Sequence, residues 1–143
     1  HGWRAYWYES PVVAAAFVGN AMGGFRSDLP PIPLPADPYQ LTGELQNNSF
    51  TMSCAIEAAL LYDPDEYREV ISCLAEQLVR TQRKDGLWRA MRIISVVHPD
   101  SIDPDIIAHS SGDYGLPTIT AMRVISALNR LVTYMQVTRM ASL

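Results

Sequence analysis

Residues 48–84 show the clearest pattern of apolar and polar positions in the chain, and they predict two antiparallel helices that pack as a hairpin. In the second helix, apolar residues recur at the i, i+3, i+4, i+7 spacing that gives a helix one buried face. These residues are Tyr67, Val70, Ile71, Leu74 and Leu78. The first helix, Ser49 to Tyr62, carries a single charged residue, Glu57, which predicts burial on most of its sides.

A short polar sequence, Asp63-Pro64-Asp65-Glu66, predicts the connection between these two helices. Asp63 is the expected cap of the second helix, because its carboxylate can accept the free backbone N–H groups of the first turn. Pro64 suits that first turn, and Glu66 stands three residues after the cap, at the spacing of a capping box.

Two further helices are predicted towards the ends of the chain. Ser10 and Pro11 supply a cap and a first-turn proline for a helix that Gly23-Gly24 ends, and this helix has almost no polar face. Residues 117–140 predict a long C-terminal helix that Pro117 opens. Its apolar stripe is expected at Ile119, Met122, Val124 or Ile125, Leu128, Leu131, Val132 and Met135.

The segment between Leu87 and Val97 is ambiguous. It follows a turn at Arg83-Lys84-Asp85-Gly86, and its β-branched end favours a strand, although its apolar spacing also fits a helix. A helix is preferred because no partner strand is evident elsewhere in the chain. A single helical turn is expected from Asp103 to Ala108.

Two segments outside the helices have distinct compositions. Residues 25–47 form a Pro-rich linker with five prolines among residues 29–38, which predicts an extended polyproline II strap lying on an apolar surface of this chain or of another copy. Residues 1–9 form an aromatic arm, which must dock on its own domain or on a neighbouring subunit because large aromatic side chains are costly to leave in water. Its aromatic residues are Trp3, Tyr6, Trp7 and Tyr8.

These elements predict an all-α fold, a bundle of four or five helices built on the hairpin, with the aromatic arm and the strap extending from it. The 143 residues are expected to form a single domain, residues 1–143, with 48% hydrophobic and 18% charged residues. No apolar run reaches the length of about 20 residues that a membrane-spanning helix needs.

The charges are segregated along the chain, although the net charge is only −4. Residues 28–76 hold nine acids and one base, whereas residues 114–143 hold three arginines and no acid. The abundance of arginine reflects either codon bias or guanidinium groups that face phosphates or carboxylates on a partner. The candidate phosphate-contacting residues are Arg80, Arg83, Lys84, Arg89, Arg92, Arg123 and Arg130.

Cys54 and Cys73 lie at nearly equal distances on either side of the predicted hairpin connection. A disulfide between the two helices is therefore possible, and it would add about 3 kcal/mol by closing the loop between them. Two buried free thiols that pack as small hydrophobic groups are the alternative. Since no further Cys or His pair stands at ligand spacing, no metal site is predicted, and no catalytic motif or cofactor loop is evident.

Residues 77–130 contain QRKDGLW, then HPDSIDPD and SSGDYG, before the last helix. This order resembles one repeat of the (α/α)6 toroid in unsaturated glucuronyl and rhamnogalacturonyl hydrolases, where a Gln-x-x-Asp-Gly-x-Trp turn ends a helix. The resemblance implies a carbohydrate-active enzyme with acidic catalytic groups. Here the available acids are Asp100, Asp103, Asp105 and Asp113, but none matches a motif of that family, and a full toroid needs more than twice this length.

The bare apolar helices, the aromatic arm and the segregated charge favour a structural, self-assembling subunit, such as the coat protein of a helical virion or filament. Its partners would be copies of itself and nucleic-acid phosphates. The alternatives are a helical carbohydrate-active enzyme, or a fragment of one, and a small secreted binding module held by Cys54–Cys73. The start at His1 indicates a processed N-terminus, a tag remnant or a fragment. A processed N-terminus and the possible disulfide together favour an extracellular or virion location.

Overall fold

The computed structural model describes residues 10–22, 32–89 and 117–141, and within these ranges it contains five α-helices and no β-strand. The all-α class is therefore confirmed. The helices are α1 (Pro11–Ala21), α2 (Glu44–Asn47), α3 (Ser49–Tyr62), α4 (Arg68–Arg80) and α5 (Pro117–Ala141). A 3-10 helical turn at Pro38–Gln40 precedes α2.

Helix α3 is the centre of the described fold, because α1, α2, α4 and α5 all pack against it. Every residue from Ser49 to Ala59 is buried, as the near absence of charge in this helix predicts. Its first turn is closed by Asn48, whose side-chain oxygen accepts the backbone N–H groups of Phe50 at 3.0 Å and Thr51 at 3.1 Å. A side-chain cap is needed here because water does not reach the start of a buried helix.

Helix α1 packs closely on α3 through small side chains, among them Ala15 and Ala16 on α1 and Ala55 on α3, all fully buried. Gly19 extends this surface of small residues towards the end of α1. A Cβ atom at Gly19 would stand 3.3 Å from Tyr62 Cε2 and 3.4 Å from a methyl group of Leu61. The absence of a side chain at this position therefore lets α1 approach the C-terminal end of α3.

Helix α4 begins later than the sequence predicts, at Arg68, with Tyr67 in the cap position. The Asp63 carboxylate accepts the backbone N–H groups of Asp65 and Glu66 at 3.1 and 3.0 Å, so it closes the connecting turn rather than the helix. The capping-box prediction is wrong in this respect. The buried face of α4 is as predicted, and it comprises Val70, Ile71, Leu74 and Leu78.

The described part of the Pro-rich linker lies against its own chain. Ile32, Leu34 and Leu41 are each at most 6% exposed and belong to the hydrophobic core. The linker is also less extended than a polyproline strap, because it contains the 3-10 turn and α2. Core packing of these apolar residues fixes its path.

After α4, the chain forms the turn that the Asp-Gly sequence predicts, with Gly86 at a φ of +79°. The backbone N–H of Arg83 donates to the carbonyl of Leu87 at 2.8 Å across this turn. Trp88 then enters the core, where its indole N–H donates to the carbonyl of Leu78 at 2.7 Å. Leu87 to Arg89 are not helical, and the rest of the ambiguous segment lies outside the described residues.

Helix α5 has the predicted bounds to within one residue, but its buried stripe differs from the prediction. Thr120, Ala121, Val124 and Ala127 are buried, with Leu128 and Leu131 partly buried beside them. The larger residues of the predicted stripe, Ile119, Met122, Ile125, Val132 and Met135, are 46–69% exposed. The small residues face α3 because α5 packs closely against that helix.

Candidate functional site

The Glu57 carboxylate is the charged group that lies deepest among the described residues. It stands in the middle of α3, and its side chain is 0% exposed. A buried carboxylate is costly unless it is paired and hydrogen-bonded. Glu57 therefore requires partners on the helices packed around α3.

Arg123 on α5 supplies the counter-charge. Its Nη2 nitrogen stands 2.6 Å from Glu57 Oε2, and only 18% of its side chain is exposed. The guanidinium carbon also lies 4.8 Å from the centroid of the Phe17 ring on α1, at the distance of a cation–π contact. Arg123 therefore points into the protein. It does not take the role that the sequence pattern predicted for it, which was to contact the phosphates of a partner.

Two neutral side chains complete the partners of the carboxylate. Asn20 on α1 donates its Nδ2 to Glu57 Oε2 at 3.2 Å, and Ser126 on α5 donates its hydroxyl to Glu57 Oε1 at 3.2 Å. Arg130 in turn donates to the side-chain oxygen of Asn20. The network thus joins α1, α3 and α5 around the Glu57 carboxylate. It also includes Arg130, the second arginine of α5 that the sequence pattern assigned to phosphate contacts.

The Cys54 thiol lies one helical turn before Glu57, beside the same charges. Burial raises the pKa of Cys54 to about 11, an effect that the neighbouring Arg123 partly opposes. Such a thiol is a poor nucleophile, because the thiolate is the reactive form. Cys73 on α4 is half-buried, and both cysteines are free thiols, so the predicted disulfide has no support in the structure.

The chemistry of this network is structural. The carboxylate is neutralised by Arg123 and closed to solvent, so it cannot act on an external substrate. No three metal-ligating side chains come together within the described part of the chain. The network therefore fixes how the three helices pack.

The outer face of α5 is the most unusual surface of the described fold. It exposes large apolar side chains along its whole length, a distribution typical of a helix that is covered on both sides. These residues are Ile119, Met122, Ile125, Val132, Met135, Val137 and Met140, each 46–76% exposed. Exposed apolar side chains in this number are common on surfaces that bind a partner.

A groove runs between α4 and the C-terminal half of α5, with a volume of about 910 Å³. Its apolar lining includes Ile71, Ala75 and Val79 from α4, and Leu131 and Met135 from α5. Charged residues also line it, namely Arg68, Glu76, Arg80 and Arg139. Met135 belongs both to the groove and to the exposed apolar residues of α5.

The remaining basic candidates cluster where α4 ends. Arg80, Lys84 and Arg89 are exposed, and Arg83 is exposed while forming an ion pair of 2.8 Å with Asp85. Of the seven basic residues proposed from the sequence, these four share one surface region near the turn. Arg92 lies outside the described residues.

Several predicted positions fall outside the described part of the chain. They include the aromatic arm with Trp3, Tyr6, Trp7 and Tyr8, and the helical turn from Asp103 to Ala108. The acids of the carbohydrate-enzyme alternative lie there as well, namely Asp100, Asp103, Asp105 and Asp113. The part of its motif that is described, Asp85 to Trp88, forms a turn leading to a core tryptophan.

The sequence pattern missed the partners of Glu57 and the exposed face of α5. One signal for the ion pair was available: a lone acid in an uncharged, buried helix requires a base on a neighbouring helix, and Arg123 is in a helix with no acid. Asn20 and Ser126 had no such signal, because short polar residues in helices are common.

No protein-family model, curated protein or solved structure matches this chain. None of the helices in the described ranges is long and apolar enough to cross a membrane.

Proposed function

We propose that this protein is a structural subunit that assembles with copies of itself, and that α5 is its assembly helix. The observation that carries the proposal is the set of seven large apolar side chains exposed along α5. Covering apolar surface gains about 25 cal/mol for each Å² removed from water, and this drives most protein association. A helix of 25 residues is about 37 Å long, which is long enough to form the main contact of a standard interface.

The distribution of charge supports a second copy as the partner. Helix α5 contains no acid, and two of its three arginines, Arg130 and Arg139, are exposed, whereas residues 63–76 contain five acids and one base. One copy therefore presents both a basic apolar helix and an acidic surface beside it. Two copies can satisfy each other's charges in the same contact that covers their apolar residues.

A helical coat or filament is the form of assembly that we propose. In such an assembly the exposed bases near the end of α4, Arg80, Arg83, Lys84 and Arg89, would be repeated along one surface. A repeated basic surface neutralises phosphates without reading base sequence. Arg123 does not contribute to this surface, because it is paired with Glu57 in the interior.

Sedimentation velocity over a range of concentrations tests the assembly. The native protein should form species larger than a monomer, and a Met122→Glu/Val132→Glu variant should remain a monomer because both residues lie on the exposed face of α5. Tyr39→Glu is the matched control, since Tyr39 is 96% exposed and lies outside α5. A native protein that stays monomeric at high concentration would overturn the proposal.

The nucleic-acid contact has a separate test. Purified assemblies should carry nucleic acid that is released by high salt, and an Arg80→Glu/Lys84→Glu variant should assemble but carry less of it. The ratio of absorbance at 260 and 280 nm measures the bound nucleic acid. Assemblies free of nucleic acid would limit the function to self-assembly.

A further inference from the structure

We infer that α5 consists of two parts of unequal stability, and that its distal part, residues 132–141, becomes a firmly held helix only when copies of the protein associate. This inference deepens the proposed self-assembly and rests on it. The docked part of α5, residues 117–131, contains all of its buried residues and the half-buried Leu128 and Leu131. In the distal part, Tyr134 is half-buried and the other nine residues are exposed.

The lengths of the helices explain this division. Helix α5 packs on α3, but α3 has 14 residues and α5 has 25. At a rise of about 1.5 Å per residue, α3 is about 21 Å long and α5 about 37 Å long. Roughly 16 Å of α5 therefore extends past the helix that supports it, which is close to the length of the distal part.

Helix α4 does not replace this support. Tyr134, Met135 and Thr138 line the groove between the distal part and α4, and this groove is open with a volume of about 910 Å³. The distal part thus lies beside α4 without being covered by it. Its helical form depends mainly on its own backbone hydrogen bonds, and helices shorter than about 12–15 residues are marginal in water when they lack packing.

The sequence of the distal part also forms a helix weakly. Four of its ten residues are β-branched and lose side-chain freedom in a helix, namely Val132, Thr133, Val137 and Thr138. The hydroxyls of Thr133 and Thr138 each donate to the carbonyl four residues earlier at 2.9 Å, a bond that slightly destabilises helices. Since α5 contains no acid, no ion pair between its own side chains adds support.

Association supplies the packing that the lone subunit lacks. The large apolar side chains of the distal part are 51–76% exposed, so in the lone subunit they remain largely in water whether this part is helical or open. They are Val132, Met135, Val137 and Met140. A neighbouring copy covers them together only where the helix holds them in a fixed arrangement, so binding shifts the equilibrium towards the helical form. The ordering of the distal part opposes association and keeps it reversible.

Hydrogen exchange of the native protein tests this inference, with sedimentation velocity showing whether the sample is monomeric or assembled. In dilute, monomeric protein, the backbone amides of residues 133–141 should exchange roughly a hundredfold faster than those of residues 121–128, which serve as the internal control. At concentrations where copies associate, the exchange of residues 133–141 should slow towards that of the docked part.

Two matched double variants change the helix propensity of the distal part and leave its apolar residues in place. Thr133→Ala/Gln136→Ala and Thr133→Gly/Gln136→Gly remove the same two exposed side chains, so the variants differ mainly in the freedom of the backbone. The distal part of the glycine variant should open roughly tenfold more than that of the alanine variant. The glycine variant should also associate several-fold more weakly, because binding then has to impose more order.

Equal protection of residues 133–141 and 121–128 in the monomer would overturn the inference, although self-assembly would stand. The same conclusion follows if copies associate while residues 133–141 stay unprotected, or if the alanine and glycine variants associate equally well. A native protein that stays monomeric at high concentration would instead overturn the proposed function, and the coupling of folding to assembly with it. Sedimentation distinguishes that case from the others.

Discussion

Glu57 on α3 and Arg123 on α5 neutralise each other inside the protein, with 2.6 Å between the carboxylate and guanidinium atoms. The sequence pattern assigned Arg123 to the surface, but in the fold it forms an internal ion pair that joins α3 and α5. Asn20 on α1 and Ser126 on α5 donate to the same carboxylate, so the network also holds α1. The buried position of this pair leads to the first prediction.

Removing one member of the pair should destabilise the fold strongly. Glu57→Gln leaves the Arg123 charge uncompensated, and Arg123→Met leaves the carboxylate buried without its base. Each variant should lose about 3 kcal/mol of unfolding free energy in urea denaturation. The double variant should lose less than the sum of the two, since neither charge then remains alone.

Arg68→Met is the matched control, because it breaks an ion pair with Asp65 in which both side chains are more than 70% exposed. Exposed pairs contribute little to stability. Equal losses at Arg123 and Arg68 would show that the internal pair has no special role.

Cys54 and Cys73 should differ sharply in reactivity. A thiol reagent at pH 8 should modify the half-buried Cys73 of the native protein and leave Cys54 unmodified, because burial keeps Cys54 protonated. In denaturant both should react. Protein prepared without reductant that shows no reactive thiol in denaturant would establish the disulfide that the spacing of the two cysteines allows.

The Cys54 thiol makes the free energy of unfolding depend on pH in the alkaline range. The pKa of Cys54 is about 11 in the fold against 9.0 ordinarily, so between these values the folded state holds a proton that the unfolded state releases. The contribution is fully present below pH 9 and is lost as the pH rises through 11. Burial also raises the pKa of Tyr67, which acts in the same direction. Cys54→Ala should therefore lose less stability than the native protein between pH 9 and 11 in urea titrations, and equal slopes would contradict this account.

The sequence predicts the helices well where composition alone determines them. Ser49 to Tyr62 is recovered to the residue, because a largely apolar run with one charged residue, Glu57, between Asn48 and Asp63 favours a buried helix with polar ends. The stripe of α5 is recovered only at Val124, Leu128 and Leu131, because apolar residues surround that helix and periodicity cannot choose a face. Which face is buried depends on close packing against α3, a tertiary property that favours Ala121 and Ala127 over Met122 and Ile125.

The residues of the candidate site are likewise predicted only in part. The arginines are visible in the sequence, but only the fold shows that Arg123 points towards Glu57 while Arg80 remains exposed. The groove between α4 and α5 has no signal in the sequence, since it depends on how two distant helices are placed. The sequence determines which charged residues are present, and packing determines which of them stay exposed.

Asn48 should be an important local contributor to stability, because its side chain caps the central helix. Asn48→Ala removes the acceptor for two buried N–H groups, and the loss should be near the upper end of the range for such caps, about 2 kcal/mol. Thermal and urea denaturation measure it. Asp37→Ala is the control, since Asp37 caps an exposed 3-10 turn and should cost much less. Similar losses at both sites would mean that burial of the helix start has no energetic consequence.

Gly19 tests how closely α1 approaches α3. Replacing glycine by alanine inside a helix ordinarily gains about 1 kcal/mol, but here the new Cβ would stand 3.3 Å from Tyr62 Cε2, which is tighter than ordinary contact. The atoms it meets, on Tyr62 and Leu61, are the far ends of side chains that can shift slightly. Gly19→Ala should therefore be close to neutral, the gain in helix propensity offsetting the strain.

Gly19→Leu has no such compensation, because a large side chain cannot fit between the two helices. It should cost about 1–3 kcal/mol of unfolding free energy, and since Asn20 is the next residue, it should also disturb the bond from Asn20 to Glu57. Urea denaturation of Gly19→Leu combined with Glu57→Gln measures this coupling. If the two losses simply add, the approach of α1 and the charge network are independent. If the combined loss is smaller than the sum, the close contact at Gly19 is what holds Asn20 against the carboxylate, and the small residues of α1 serve the buried charge as well as the apolar core.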